Sequence, residues 1–134
     1  EIRMLGRPYS FRLQVVDGDK RGRHLGAPTI NQQADPHLVI PKYGVYVSKA
    51  TVGDKSYLAI TNIGVRPTFY EDAVPSIETH ILDYEGNLYG KYVEVALLRF
   101  LRPEKKFESF VKLENQIKLD EKKVRELAEE ARNR

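Results

Sequence analysis

Residues Gly44–Ile63 read GVYVSKATVGDKSYLAITNI, two apolar and β-branched runs on either side of a short turn. The first run covers Gly44 to Val52 and the second covers Lys55 to Ile63, with Val52-Gly53-Asp54 supplying typical turn residues between them. A connection this short joins antiparallel neighbours, because parallel strands need a long crossover. The stretch therefore predicts two paired antiparallel strands.

Further strands are predicted on both sides of this pair, at Phe11–Val16, Ser76–Leu82 and Tyr92–Leu101. The pattern changes after Pro103, where apolar residues recur at helical spacing in two segments, with Asp120 as the expected N-cap of the second. Strands followed by helices predict a small β-barrel or sandwich with a helix packed on one side. The lack of alternating βαβ units argues against a Rossmann or P-loop fold.

The composition limits the classes of function. The 134 residues suit one domain, and the lack of cysteine excludes disulfides, thiolate metal sites and cysteine nucleophiles. A cysteine-free chain fits a reducing compartment, so the cytoplasm is the expected location. The 22 basic and 19 acidic residues are intermixed and give a net charge of +3. That excess suits a polyanion such as ATP or RNA, but equally an ordinary solvated surface.

The segment Gly22–Asn31, GRHLGAPTIN, has the glycines of a phosphate-binding loop without the lysine of a Walker loop. Ala27 precedes a proline and is pushed toward extended geometry, so a strand rather than a helix is expected to follow. Thr29 and Asn31 would then share one strand face, and their hydroxyl and amide oxygens are ligands that Mg²⁺ accepts. From spacing alone, an ordinary loop followed by two exposed polar residues remains the more frequent explanation.

A second candidate lies in Ser76–Ile81, SIETHI, where strand alternation puts Glu78 and His80 on one face. A carboxylate held on a rigid strand and aimed at a cleft can act as general base toward a hydroxyl nucleophile. Taken alone, this pair is more often a solvent-facing Glu and His on an amphipathic strand.

Three motifs occur in order along the chain: VVDGDKRGRHLGAPTIN at residues 15–31, NIGVRPTF at Asn62–Phe69, and SIETHILDYEGNLYGKYVEVALLRFLRPEKKF from Ser76 onward. Together they closely resemble the riboflavin kinase (flavokinase) module, including the one in the C-terminal half of bacterial bifunctional FAD synthetases. The resemblance extends from Leu5 to the last helix. It implies a mainly β fold, a six-stranded antiparallel Greek-key β-barrel with a C-terminal helix packed on it.

The resemblance also implies an activity, the transfer of the ATP γ-phosphate to the 5′-hydroxyl of riboflavin to give FMN. The family's Pro-Thr-Ala-Asn signature resembles Pro28-Thr29-Ile30-Asn31, so Thr29 and Asn31 inherit the binding of Mg²⁺ and the ATP phosphates. Glu78 inherits the role of catalytic base. The glycine-rich loop inherits contacts to ATP through Gly18, Arg23 and Gly26.

On the flavin side, the turn Gly86–Gly90 resembles the family's mobile flap, and Leu101–Lys105 lies where the family contacts the isoalloxazine ring. The expected flavin-binding residues are Tyr89, Arg102, Glu104 and Lys105. Two positions depart from the family pattern, Ala27 in place of a bulky apolar residue and Ile30 in place of a small alanine. Neither removes a ligand, so an altered affinity is expected rather than a loss of activity.

The expected organisation is one kinase domain over residues 1–134, with 1–8 as a residual linker and 104–134 as a helical segment. The opening without methionine leads us to expect an FMN adenylyltransferase domain upstream in the same protein. Riboflavin and ATP are the expected partners, without nucleic acid or membrane. Two alternatives stay open: an OB-like barrel that binds single-stranded nucleic acid with steep salt dependence and no need for Glu78, and an inactive docking module.

Overall fold

The structure, a computed structural model, describes residues 9–16, 29–33, 42–65, 75–105 and 107–132. The chain divides into a barrel unit, Glu1–Glu104, and a helical unit, Lys105–Arg134. The elements are β1 (Tyr9–Val16), β2 (Thr29–Gln33), β3 (Gly44–Val52), β4 (Lys55–Val65), β5 (Pro75–Ile81), β6 (Tyr92–Arg102) and α1 (Phe110–Arg132). The described residues include no helix long and apolar enough to cross a membrane.

The six strands close into a barrel in the order β1-β2-β5-β4-β3-β6, and each neighbouring pair is antiparallel. Strands β3, β4 and β5 are consecutive neighbours, and β6 returns to lie beside β3, which is the Greek-key order. The expected six-stranded antiparallel Greek-key barrel is confirmed, and the sandwich is excluded. Each of the six described strands therefore has a neighbouring strand on both sides.

The predicted hairpin is confirmed as β3 and β4, which pair along their whole length. Gly53 and Asp54 form its two-residue loop, with Gly53 at a φ of 63°. A positive φ at the first loop position only is the type II′ pattern, which glycine adopts without strain. At the other end of β3, Gly44 has a φ of 149°, and a Cβ there would lie 2.5 Å from Cε1 of Phe100. No larger residue fits that position without displacing the ring.

The barrel interior is filled by inward-facing apolar side chains, as expected for a small barrel. They are Phe11, Val15, Ile30, Tyr46, Ala50, Ala59, Ile63, Ile77, Ile81, Leu88, Val93, Val95 and Leu97. Burial raises the pKa of the Tyr46 phenol, and its hydroxyl donates to the carbonyl oxygen of Lys42. The core therefore comes from alternate residues of all six strands, which sends the intervening residues to the outer face.

Three buried hydroxyls cross this core from β3 to β5. Ser48 Oγ and Thr61 Oγ1 are 2.7 Å apart, and Thr61 Oγ1 and Thr79 Oγ1 are 2.9 Å apart. All three residues are fully buried. Because Thr61 is the middle member, its hydroxyl bonds to both others and gives each a partner inside the barrel.

Thr61→Val is expected to lower the free energy of unfolding by about 1–3 kcal/mol, because it keeps the side-chain shape but takes a partner from two buried hydroxyls. Urea unfolding measures the change. Thr51→Val is the matched control, since the Thr51 hydroxyl meets Ser56 Oγ at an exposed position 3.2 Å away. The control should change stability by less than about 0.5 kcal/mol. Equal losses in both variants would contradict the importance of the buried hydroxyls.

The helical unit contains one continuous helix, α1, so the expectation of two segments with Asp120 as an N-cap is wrong. Asp120 lies inside the helix, where its Oδ1 accepts a hydrogen bond of 3.0 Å from Gln116 Nε2. The helix begins after Ser109, whose Oγ accepts from the Lys112 backbone N–H at 3.2 Å, a typical N-cap bond. The physical reason is that residues 107–132 contain no glycine or proline to end a helix between the two apolar segments.

Candidate active site

Three outward-facing polar side chains, Asn31, Glu78 and Asn62, form a row across the neighbouring strands β2, β5 and β4. The register pairs Asn31 with Glu78 and Glu78 with Asn62. Directly opposed residues of antiparallel strands share a face, with Cβ atoms about 4.5–5.5 Å apart. Ile77 and Thr79 flank Glu78 and are buried inside the barrel, which places Glu78 on the outer face. We call these three residues the polar row.

The two amides of the polar row each present a buried acceptor. Neither Asn31 Oδ1 nor Asn62 Oδ1 accepts a hydrogen bond within the described part of the chain. A buried acceptor without a donor costs about 1–3 kcal/mol, so a folded protein retains one where it has a use. A carboxylate flanked by two such oxygens is therefore a candidate binding and catalytic centre.

The Asn31 end of the polar row fits a divalent cation. Its amide oxygen is a hard, neutral donor, and the Glu78 carboxylate lies directly opposite on β5. Thr29, the first residue of β2, pairs with His80. Within the described ranges no three His, Asp or Glu side chains form a metal-binding group. The donors present suit an ion such as Mg²⁺, which takes one or two protein oxygens and fills its other positions with water and phosphates.

The glycine-rich segment joins two strands that meet beside the polar row. The chain leaves β1 at Val16 and enters β2 at Thr29, and Val16 pairs directly with Asn31. Both ends of the segment are therefore positioned next to the candidate cation site. The predicted ATP contacts Gly18, Arg23 and Gly26 lie outside the described residues.

Of the two residues that depart from the family pattern, Ile30 and Ala27, the structure describes only Ile30. Ile30 is 5% exposed and belongs to the barrel core, on the opposite face from Asn31. Its extra volume is therefore accommodated inside the barrel and does not face the cation site. Ala27 lies outside the described residues.

Arg102 lies on the other side of the polar row from Asn31. Asn62 pairs with Val45 on β3, and Val45 pairs with Arg102 on β6, beside a bulge in the β3–β6 register. The guanidinium Nη1 of Arg102 donates to the Pro103 carbonyl oxygen at 3.0 Å. The strand register thus leads from the Asn62 end of the polar row, across Val45 on β3, to the end of β6, where flavin contacts are expected.

Glu104 reaches the same side of the site. A Cβ on Gly64 would overlap the Glu104 carboxylate, so that carboxylate lies directly against the backbone of β4. Gly64 is two residues beyond Asn62 and therefore on the same strand face. Lys105 belongs to the helical unit, where its Nζ donates to Gln116 Oε1 at 3.3 Å.

Tyr89 lies in the connection between β5 and β6 and is 60% exposed. Its backbone N–H donates to Asn87 Oδ1 at 2.9 Å, and the next residue, Gly90, donates to the Val15 carbonyl oxygen at 3.0 Å. The bond from Gly90 holds the connection against the end of β1. Because Tyr89 precedes β6 and Arg102 ends it, the length of the strand separates the two expected flavin contacts.

Sequence reasoning misses Asn62. Two signals for it exist: alternation along β4 puts the side chain opposite the core residue Ile63, and asparagine is depleted in strands. An asparagine at an outward position of an apolar strand therefore needs an explanation. The pairing of Asn62 with Glu78 could not be predicted in this way, because no local sequence pattern specifies which residues of two strands lie opposite each other.

A family profile and two bacterial relatives indicate the same family for this chain. The flavokinase family profile, described as riboflavin kinase, matches residues 5–128. The bifunctional riboflavin kinase/FMN adenylyltransferase of Listeria monocytogenes is 40% identical over 122 residues, which are 91% of this chain and 39% of that protein. The protein of the same name from Bacillus subtilis is 38% identical over 123 residues, 90% of this chain and 39% of that protein. The chain thus spans about two fifths of the length of these relatives.

Two further similarities differ in name. An RNA-binding riboflavin kinase, RibR of Bacillus subtilis, is 38% identical over 106 residues, 79% of this chain and 45% of that protein. A crystal structure described as a macrolide-efflux protein from Streptococcus pneumoniae superposes with a TM-score of 0.83 at 34% identity, covering 92% of this chain and 40% of that chain. The fold described above is thus shared with an experimental structure.

Proposed function

Because this chain belongs to the riboflavin kinase family, we propose that it transfers the γ-phosphate of ATP to the 5′-hydroxyl of riboflavin, giving FMN and ADP. One observation carries the proposal to individual residues: the register places Glu78 directly between Asn31 and Asn62. A base flanked by two oxygen acceptors is a reasonable centre for a reaction that joins a hydroxyl to a phosphate.

Glu78 serves as the general base. Its carboxylate takes the proton of the 5′-hydroxyl as that oxygen forms its bond to the γ-phosphorus, and the bond between the γ-phosphorus and the bridging oxygen breaks to release ADP. Phosphoryl transfer depends mainly on position and electrostatics rather than on covalent chemistry by the protein. Strand β5 meets that requirement, because β2 and β4 pair with it on both sides and hold the backbone of Glu78.

The family works with ATP and a divalent metal, and we propose Mg²⁺, held by Asn31 together with Thr29. When bound, the ion supplies positive charge to the phosphate oxygens. Asn31 is suited to this role because its Oδ1 accepts no hydrogen bond from the described residues. Gly18, Arg23 and Gly26 are the proposed contacts to ATP.

We propose that riboflavin enters from the opposite end of the polar row. Arg102 and Glu104 both reach that side, through the register of β6 with β3 and the contact of the carboxylate with β4. Nucleotide and flavin would then approach Glu78 from opposite sides, as in-line transfer requires. Tyr89, in the connection between β5 and β6, and Lys105, in the helical unit, are proposed as further flavin contacts.

The wider setting is also a proposal. The bifunctional relatives lead us to propose an FMN adenylyltransferase domain in the same protein, and the cytoplasm as its compartment. The family match does not favour an OB-like nucleic-acid barrel or an inactive docking module as the main function. The expectation that the chain binds no nucleic acid stays a prediction, because one relative is described as RNA-binding. A salt-dependent titration with single-stranded RNA measures this directly.

The purified chain is expected to convert riboflavin to FMN only when ATP and Mg²⁺ are both present. Separation of the flavins by chromatography measures the product, with an EDTA-treated sample as the metal control. Folded protein that yields no FMN at saturating substrates would overturn the proposed function. Turnover with GTP in place of ATP tests whether the adenine is recognised.

A further inference from the structure

Asn62 is a half-buried residue whose buried amide oxygen has no task in the proposed function. It faces outward on β4, directly opposite Glu78, and its Oδ1 is buried with no donor among the described residues. Its neighbours on that face of β4 are Ile60 and Gly64, which have no hydrogen-bonding side chain. Among Ile60, Asn62 and Gly64, Asn62 is therefore the residue whose side chain offers a hydrogen-bond acceptor on the outer face of β4.

A metal shared with Asn31 does not explain this acceptor. Neighbouring strands are about 4.8 Å apart, so Asn31 and Asn62, with β5 between them, are separated by about 10 Å. Opposite ligands of one octahedral Mg²⁺ are only about 4.2 Å apart, at about 2.1 Å from the ion. The Glu78 side chain also lies between the two amides. The Asn62 oxygen therefore requires a partner of its own.

A hydroxyl group of riboflavin, the substrate that receives the phosphate, is a suitable hydrogen-bond donor to the Asn62 oxygen. The ribityl chain of riboflavin carries hydroxyls on successive carbons, so a second hydroxyl lies close to the attacked one. Its distance from the 5′-oxygen is comparable with one strand spacing, the separation of Asn62 from Glu78. A hydroxyl donates readily to an amide oxygen, and both groups are neutral, so no charge has to be buried.

We propose that Asn62 Oδ1 accepts a hydrogen bond from a second ribityl hydroxyl of riboflavin while Glu78 serves the 5′-hydroxyl. Asn62 is then a specificity-determining residue: it selects acceptors that carry a polyol chain and fixes the attacked oxygen over the base. The inference rests on the proposed riboflavin kinase activity. It adds a recognition contact that the flavin ring does not provide.

The test compares riboflavin with its 2′-, 3′- and 4′-deoxy analogues, each of which keeps the 5′-hydroxyl. With the wild-type chain, at least one analogue is expected to lose about 10-fold or more in kcat/KM, because the Asn62 oxygen then has no donor. With Asn62→Ala, the same analogue and riboflavin should differ by less than about 2-fold. Such non-additivity is the signature of a direct contact.

Controls separate this contact from a structural role. Asn115→Ala removes the same group from an exposed position on α1 and should leave the wild-type penalty intact. Asn62→Leu, which has nearly the same shape without an acceptor, is the second variant if Asn62→Ala does not fold. Quenching of flavin fluorescence gives the affinity for each analogue independently of turnover.

The outcomes divide clearly. A wild-type chain inactive on riboflavin overturns the proposed function. An active wild type that shows no penalty for any analogue, or the same penalties in the Asn62 variants, overturns only the Asn62 contact. Failure of both Asn62 variants to fold, with Asn115→Ala folded, assigns Asn62 a structural role and also overturns the inference.

Discussion

Glu78→Gln is expected to lower kcat by about 10²-fold or more, the largest effect of any single substitution proposed for this chain. Glutamine keeps the size and polarity of the side chain on β5, but its neutral amide does not take a proton from the 5′-hydroxyl. Because the substrate contacts stay in place, the KM values for ATP and riboflavin should change by much less than kcat. Steady-state kinetics with each substrate varied in turn measures both quantities.

Glu94→Gln is the matched control for that variant. Glu94 is an exposed glutamate on β6 that pairs with Arg12, and it lies outside the polar row. Its substitution should leave kcat within about 2-fold of wild type, since no reacting group contacts it. Near-normal turnover in Glu78→Gln, with the control equally active, would remove Glu78 from the mechanism.

Asn31→Ala is expected to raise the Mg²⁺ concentration for half-maximal activity by about 10- to 100-fold. The change removes an amide oxygen that accepts no hydrogen bond among the described residues, so the affinity for riboflavin alone should stay the same. Calorimetric titration of ADP with and without Mg²⁺ supplies a second reading that needs no turnover. The loss should appear only in the titration that contains the metal.

Stability distinguishes this role from a structural one. Removing a buried acceptor without a donor relieves a desolvation cost, so Asn31→Ala should not lower the melting temperature. Asn31→Asp keeps an oxygen at the same position and should retain metal dependence close to that of wild type. An unchanged Mg²⁺ requirement in Asn31→Ala would refute the cation site, whatever its effect on stability.

Much of the barrel could be predicted from short patterns. Alternation along Ser76–Ile81 predicts that Glu78 lies on the opposite strand face from Ile77 and Thr79, and the burial of those two residues inside the barrel agrees with it. Alternation has a period of two residues, so a few neighbours are enough to assign the faces of a strand. The turn at Gly53 is equally local, because its two-residue loop and positive φ depend on adjacent residues.

Longer-range features were predicted less well. The expected break at Asp120 does not occur, because α1 continues through it and no glycine or proline lies nearby to end the helix. The separation of Tyr89 and Arg102 likewise depends on the length of β6, which lies between them, and their common contact with the flavin stays a prediction. How far an element extends is therefore harder to predict from local patterns than which face of a strand a residue occupies.

The sequence by itself determined the strand faces, the hairpin and the residue types of the candidate site, including Asn31 and Glu78. Only the tertiary structure decided that β2 inserts beside β5, and that Asn62 lies across from Glu78 on the other side. The reason is physical: a side chain's face depends on its neighbours in the chain, whereas the register depends on barrel closure between distant segments. A register shifted by one residue would turn Asn62 away from Glu78 and separate the polar row.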